Sequence, residues 1–335
     1  ELDRPGEWYV DRTGGILYFW PPEPIEDNPP VVSVLDTLIT VRDASHITFH
    51  GLILESARKT AVTVTGCEKV HVAVCVLRNL GSWAMKVSGG SECGLRDSDV
   101  YATGDGGVSL SGGDRKSLTP AAHYAANNHI HHYSRWNRMY KPAVSLSGVG
   151  NVARNNLIHH APHQAMAFGG NDHLIELNEI HHVCRESNDA GAIYSGRDWT
   201  MRGTVIRHNF LHHINGFRGR GCVGVYLDDM FSGTTVSGNV FFDVTRAAFI
   251  GGGRDCTIEN NVFIDCKPAL HIDARALGWA HGHSDAWVKE GREQETLSGI
   301  PFKRPPYSQR YPELVGILDQ EPAAPKGNRA YMNVS

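Results

Sequence analysis

Ala165-Met-Ala-Phe-Gly-Gly-Asn-Asp-His-Leu-Ile-Glu-Leu-Asn-Glu-Ile-His-His182 decides the fold, because both of its halves recur along the chain. The second half, an Asn before an apolar centre, returns at Asn128-His-Ile-His-His, Asn156-Leu-Ile-His-His, Asn209-Phe-Leu-His-His, Asn239-Val-Phe and Asn261-Val-Phe. Earlier copies centre on Gly51-Leu-Ile and Asp99-Val-Tyr. The first half returns as Ala61-Val-Thr-Val-Thr-Gly, Ala84-Met-Lys-Val-Ser-Gly, Gly107-Val-Ser-Leu-Ser-Gly and Ala143-Val-Ser-Leu-Ser-Gly. It continues as Ala192-Ile-Tyr-Ser-Gly-Arg, Gly224-Val-Tyr-Leu-Asp-Asp, Ala248-Phe-Ile-Gly-Gly-Gly and Ala269-Leu-His-Ile-Asp-Ala. Copies follow one another at intervals of about 22 to 31 residues, and Gly turns punctuate them. Units that short cannot bury a core alone and must stack. The fold class is therefore all-β, a single-stranded parallel β-helix (solenoid) over residues 33–275, in which the longer coils carry loop insertions.

Strand side chains alternate between faces. Val62, Met85, Val108, Val144, Met166, Ile193, Val225, Phe249 and Leu270 are thus expected to share an inward column. Thr63, Lys86, Ser109, Ser145, Ala167, Tyr194, Tyr226, Ile250 and His271 would form the outward column beside it. The repeated Asn128, Asn156, Asn178, Asn209, Asn239 and Asn261 are expected to stack as a buried amide ladder.

Two segments stand outside the repeat. Residues 1–32 read as a β-hairpin around Gly14-Gly15, followed by a Pro-rich linker. Residues 276–335 read as an irregular surface excursion that ends in one further strand near Asn328 to Val334. The chain opens on Glu1-Leu-Asp-Arg without a signal-peptide pattern, and is expected to be a trimmed piece of something longer.

Bulk properties exclude several functions. A net charge of −4 argues against nucleic acid as the main partner. No apolar run reaches membrane-spanning length. The seven Cys lack zinc-site spacing and sit in strand-like runs, so buried thiols are expected rather than disulfides. Cysteine usage does not fix the compartment, and oligomeric state is not legible.

Chemistry concentrates in Ser187-Asn-Asp-Ala-Gly-Ala-Ile-Tyr-Ser-Gly-Arg-Asp-Trp-Thr200 and its neighbours. The outward column, bland in its first four members, becomes Tyr194, Tyr226 and then His271. Asp189 and Arg197 flank one strand, Asp228 and Asp229 end the next, and Asp273 ends the ninth. Carboxylates with Tyr, Arg and His on one face suit acid/base work on a sugar, with separations of about 5 Å for retention and about 6.5–9.5 Å for inversion. The catalytic candidates are Asp189 and one of Asp228/Asp229. An Asp beside Gly is also ordinary turn chemistry, and Asp198 is read as such a cap.

His163, Asn171, Asp172, Glu186 and Trp199 join Tyr194, Arg197, Tyr226 and His271 as substrate-binding candidates. Turn capping is the bland alternative for Asn171 and Asp172, and simple packing is the bland alternative for Trp199. The doublets His131-His132, His159-His160, His181-His182 and His212-His213 recur at one point of four coils. They read as stacked imidazoles or a polar wall, and neither a metal nor another cofactor is assigned.

Gly6-Glu-Trp-Tyr-Val-Asp-Arg, Tyr18-Phe-Trp-Pro-Pro, Gly148-Val-Gly-Asn, Gly170-Asn-Asp-His, Asn178-Glu-Ile-His, Asp189-Ala-Gly-Ala-Ile-Tyr-Ser-Gly-Arg-Asp-Trp, Tyr226-Leu-Asp-Asp and Arg310-Tyr-Pro fit one pattern. Together they resemble the right-handed parallel β-helix proteins related to glycoside hydrolase family 141, whose members act on fucosides or xylan. The resemblance implies a secreted or periplasmic hydrolase of a poly- or oligosaccharide, with Asp189 and one of Asp228/Asp229 as its acidic pair. This chain looks like the core of such proteins with both ends missing. Two other functions fit the same architecture. A polysaccharide lyase would neutralise a uronate with Arg197, Arg202 or Arg254. A non-catalytic carbohydrate-binding or adhesive β-helix would bind sugar on the acidic face.

Overall fold

The computed structural model describes residues 2–335, in two units that meet between Val34 and Leu35. In the first unit Trp8–Asp11 pairs antiparallel with Ile16–Phe19. The Asp11 carboxylate accepts the backbone N–H groups of Thr13 and Gly14, at 3.0 and 3.1 Å, and so holds the turn.

In the second unit the chain winds into a parallel β-helix with three strands per coil. The first face runs from Thr37–Arg42 through Met85–Ser91, Val108–Gly112, Val144–Val149, Met166–Asn171, Gly191–Gly196, Val223–Asp228 and Arg246–Gly251 to Leu270–Asp273. The third face is a nine-stranded sheet from Ile53–Glu55 to Val262–Ile264. Between them lies a second face of short strands, such as Val152–Arg154 and Leu174–Glu176. Only two strand signatures per coil are visible in the sequence. The third-face strands are just as short, but a recurring Asn and His-His mark them, whereas the second-face strands carry no repeated marker.

Ladder register carries the core. Val62, Met85, Val108, Val144, Met166, Ile193 and Val225 succeed one another on the inward side of the first face. Ile130, Ile158, Ile180 and Leu211 do the same on the third face, all fully buried. Each such side chain stabilises the fold by about 1.5–3 kcal/mol. One expected position is corrected. Val225 pairs with Ala248 and Tyr226 with Phe249, so Phe249 belongs to the outward column and Ile250 points into the core. The double alanine Ala247-Ala248 hides the register, and a slip of one residue exchanges the two faces.

The amide ladder forms. Asn128, Asn156, Asn178, Asn209, Asn239 and Asn261 each donate Nδ2 to the Oδ1 of the next amide at 2.9–3.0 Å, and Asn333 supplies the final Oδ1. Each Oδ1 also accepts a backbone N–H of the neighbouring coil, as Asn178 does from Asn156, so the buried amides are well satisfied. Asn333 belongs to the returning C-terminus, whose strand Arg329–Tyr331 pairs with Thr257–Glu259.

The excursion after Arg275 is helical rather than irregular. Helix His281–Gln294 and the short helices Tyr307–Arg310 and Pro312–Val315 build a second core of Phe302, Tyr307, Leu314, Ile317 and Leu318 against Trp199 and Met230. The first helix buries only Ser284 and Gly291, which explains why no apolar period announces it. All seven cysteines are free thiols, six of them buried. Among the described residues no helix is long and apolar enough to cross a membrane.

Candidate active site

The outward column of the first face changes chemistry as it climbs. Ser145 pairs with Ala167, then Tyr194, Tyr226, Phe249 and His271 follow in register. Tyr226 stacks on Phe249 at 4.8 Å and 13°, and Phe249 on His271 at 4.3 Å and 3°. Tyr194 meets Tyr226 edge-on at 5.6 Å. The Arg246 guanidinium covers the outer part of Phe249 at 4.7 Å, a cation–π contact.

A column of carboxylates and glycines borders these rings. Gly196 pairs with Asp228, and one coil further Gly251 pairs with Asp273. Asp228 and Asp273 thus stand two rungs apart, with Cα atoms about 9.6 Å from one another. Gly251 lies between them because Arg275 lies over it. A Cβ there would meet the guanidinium carbon at 2.6 Å.

Arg275 gathers the acids. Its Nη1 binds Asp228 and, at 3.2 Å, Asp229, while Nε and Nη2 clasp Asp273 at 3.1 and 2.9 Å. Burial works against the charge of Arg275, but hydrogen bonds with Asp273 and Tyr226 outweigh it and raise its pKa. The Tyr194 hydroxyl donates to Asp228 Oδ2 at 2.9 Å, and the Asp229 N–H to Asp228 Oδ1 at 2.9 Å. Arg197 Nε reaches Asp229 Oδ2 at 3.0 Å from a largely exposed side chain. Burial and the charge of Asp228 raise the Tyr194 phenol above its ordinary value; burial is also the main cause at Tyr226. Both phenols therefore stay neutral donors at physiological pH. Asp229 and Met230 turn with φ of 40° and 62°, a left-handed pair that aims Asp229 back at the cluster. Among the described residues His271 Nδ1 has no hydrogen-bond partner.

The structure brings Tyr194, Arg197, Tyr226, Asp228, Asp229 and His271 together and separates the other candidates from them. Asp189 is exposed and precedes strand Gly191–Gly196, whose far end pairs with Asp228. The five residue steps from Gly191 to Gly196 alone span about 16 Å. Pairing Asp189 with Asp228 or Asp229 is therefore corrected: that separation exceeds both glycosidase geometries.

His163 is buried against Tyr140, with ring centroids 4.8 Å apart, and burial lowers its pKa to about 4. It is a packed histidine rather than a cleft residue. Asn171 is fully buried, donates to the Thr200 carbonyl at 2.7 Å and accepts from Arg115 and Tyr307. Asp172 is held by Arg310 at 2.8 Å and by the Tyr311 hydroxyl at 2.9 Å. These two side chains anchor the helical excursion, so their substrate-binding assignment is also corrected. Trp199 packs against Trp287 within the second core and offers no stacking platform.

Glu186 pairs with Arg138 in a cavity of about 350 Å³ lined also by Arg135, Arg185 and His160, away from the carboxylate cluster. Asp198 caps its turn, accepting the Thr200 N–H at 2.9 Å. Arg202 and Arg254 are buried with Asp255, at 2.9 and 3.7 Å, and present no free cation to a substrate.

Sequence reasoning missed Arg275, Phe249 and Trp279, and left Asp273 outside the acidic pair. Trp279 is 72% exposed and its ring lies 5.7 Å from the Arg275 guanidinium, in the position expected of Trp199. The available signal was Asp273-Ala-Arg275 at the coil where the repeat ends.

A family model described as a right handed beta helix region matches residues 142–283. A solved structure named glycoside hydrolase superposes with a TM-score of 0.59 at 17% identity, over 80% of this chain and 57% of its own. A GH136 lacto-N-biosidase from Eubacterium ramulus, solved as a selenomethionine derivative, matches with a TM-score of 0.39 at 11% identity, over 64% of this chain and 50% of its own. This chain therefore spans about half of either structure. No curated protein matches it. The family model shows the fold, a right-handed β-helix.

Proposed function

We propose that this chain carries the catalytic β-helix of a glycoside hydrolase, and that Asp228 and Asp273 form its acid–base pair. The observation that carries this reading is the carboxylate cluster gathered by Arg275 beside an aromatic floor. Three donors serve Asp228 as a carboxylate: Tyr194, the Asp229 amide and Arg275. That suits the base that activates water. Asp273, the most open of the three acids, is the one a leaving-group oxygen reaches. Asp228, Asp229 and Asp273 gather around Arg275, and Arg197 reaches Asp229 from outside.

Because one guanidinium holds both members of the pair, their carboxyl groups lie closer than their Cα atoms, which suits the about 6.5–9.5 Å of an inverting enzyme. Phe249, Tyr226 and the exposed Trp279 supply apolar surface for sugar rings. The likeness to glycoside hydrolase family 141 makes fucosides and xylan the first substrates to try. It also supports a substrate that is a poly- or oligosaccharide.

The test is product release from a panel of plant and microbial glycans, followed by proton NMR of the first-formed anomer. Reducing ends of inverted configuration are expected. A product absorbing near 235 nm would instead mean a lyase. Sugar binding without any product from the folded chain would overturn the hydrolase reading.

A further inference from the structure

The third face carries a second cluster that the carboxylate site does not use. His131, His159, His181 and His212 stack outward in register at 5.1, 4.8 and 4.7 Å. His132, His160, His182 and His213 form a parallel stack at 5.2, 5.1 and 5.2 Å. Within each coil the two rings meet Nδ1 to Nδ1, at 2.6–2.7 Å. One member of every pair must therefore donate and the other accept.

The last of these pairs has a carboxylate on either side. Asp243 Oδ2 lies 4.0 Å from His213 Nε2. His212 Nε2 stands 3.3 Å from Glu179 Oε1. A third ligand is at hand, because Glu179 and His181 are two residues apart on one strand and share its outer face. His181 pairs with His212 on the next coil. Ligand atoms of Glu179, His181 and His212 all lie within 4.8 Å of one another.

We propose that Glu179, His181 and His212 bind one divalent transition-metal ion of the Zn²⁺ class. Two imidazoles and a carboxylate suit zinc, copper or nickel rather than calcium or magnesium. Three protein ligands leave a tetrahedral ion one position for solvent. His182 and His213 hold the Nδ1 atoms of the two ligand rings and fix their orientation, the role that second partners play at metal sites. The ion would tie the coil of Glu179–His181 to that of Phe210–Ile214, and a modest tilt of the two stacked rings turns both Nε2 atoms toward it.

The experiment is calorimetric titration of the chelator-treated full chain with Zn²⁺ at neutral pH, with Co²⁺ and its visible absorption as a second probe. One ion per chain is expected. His213→Phe should weaken binding by about 10–100-fold. His212→Gln and Glu179→Gln should weaken it further, while His131→Gln leaves it unchanged. Glu179→Gln keeps a side chain that can hydrogen-bond to His212, so loss of binding there is not a loss of fold. No saturable binding would overturn the proposal. Several equivalents lost equally in His131→Gln would overturn it as well, because binding would then belong to the imidazole stacks as a whole.

Discussion

The outward column of the first face begins as Thr63, Lys86, Ser109 and Ser145 and ends as Tyr194, Tyr226, Phe249 and His271, although one unbroken register runs through all eight. Backbone and inward side chains hardly differ between the two halves. What differs is the company at the strand ends. In the early coils the residues after the strand are turn formers. In the late coils they are Asp228, Asp229 and Asp273, drawn together by an arginine that arrives only after the last first-face strand. A solenoid repeats its scaffold and leaves outward positions free, so chemistry can be confined to a few adjacent coils without cost to the core.

The comparison can be broken most forcefully at Arg275. Arg275→Met would leave three partly buried carboxylates without their common partner and should cost about 3–5 kcal/mol, measured by denaturant unfolding. Lys86→Met, in the bland half, removes only an exposed side chain and should stay within about 0.5 kcal/mol. Equal losses at the two positions would erase the distinction.

The amide ladder crosses the boundary between the halves and should ignore it. Asn178→Ala strands buried donors and acceptors, at a cost of about 1–3 kcal/mol, and Asn128→Ala should cost much the same. Unfolding midpoints with a steep trend along the stack would show that the coils are less equivalent than their register suggests.

Acid offers a smaller lever. His163 and His173 are buried, and burial lowers each from 6.5 to about 4. The unfolded chain therefore binds more protons than the folded one between those values. The stability is fully present above about pH 6.5 and is lost progressively as pH falls toward 4. Melting temperature should drop across that window, and His163→Phe should flatten the drop. The smallest effect belongs to Ser109→Ala, which should change neither stability, beyond about 0.5 kcal/mol, nor product release.

Much of this was legible in the sequence. The Asn and His doublets, repeating with their apolar partners, carry the coil, the amide ladder and the stacked imidazoles, because periodic features survive being read one residue at a time. Tyr194, Tyr226, Asp228, Asp229 and His271 were legible as breaks in that period. Asp189 lies apart because it and Arg197 flank opposite ends of one strand, and a strand separates its two ends by its whole length. Arg275 was invisible because it lies where the period stops. Phe249 reads as inward because Ala247-Ala248 offers two registers, of which the structure adopts the other. His163, Asn171, Asp172 and Trp199 are polar or aromatic for the sake of packing the excursion, whose helices show no apolar stripe.

The most direct measurement of the central claim is the turnover of Asp228→Asn, Asp273→Asn and Asp189→Asn on the first glycan that the wild-type chain cleaves, with folding checked by circular dichroism. Loss of an acid or base predicts a fall of about 10²–10⁴-fold for the first two, while Asp189→Asn remains within a few-fold of wild type. Full activity in Asp273→Asn beside an inactive Asp189→Asn would contradict the account and move the chemistry to the other end of the strands.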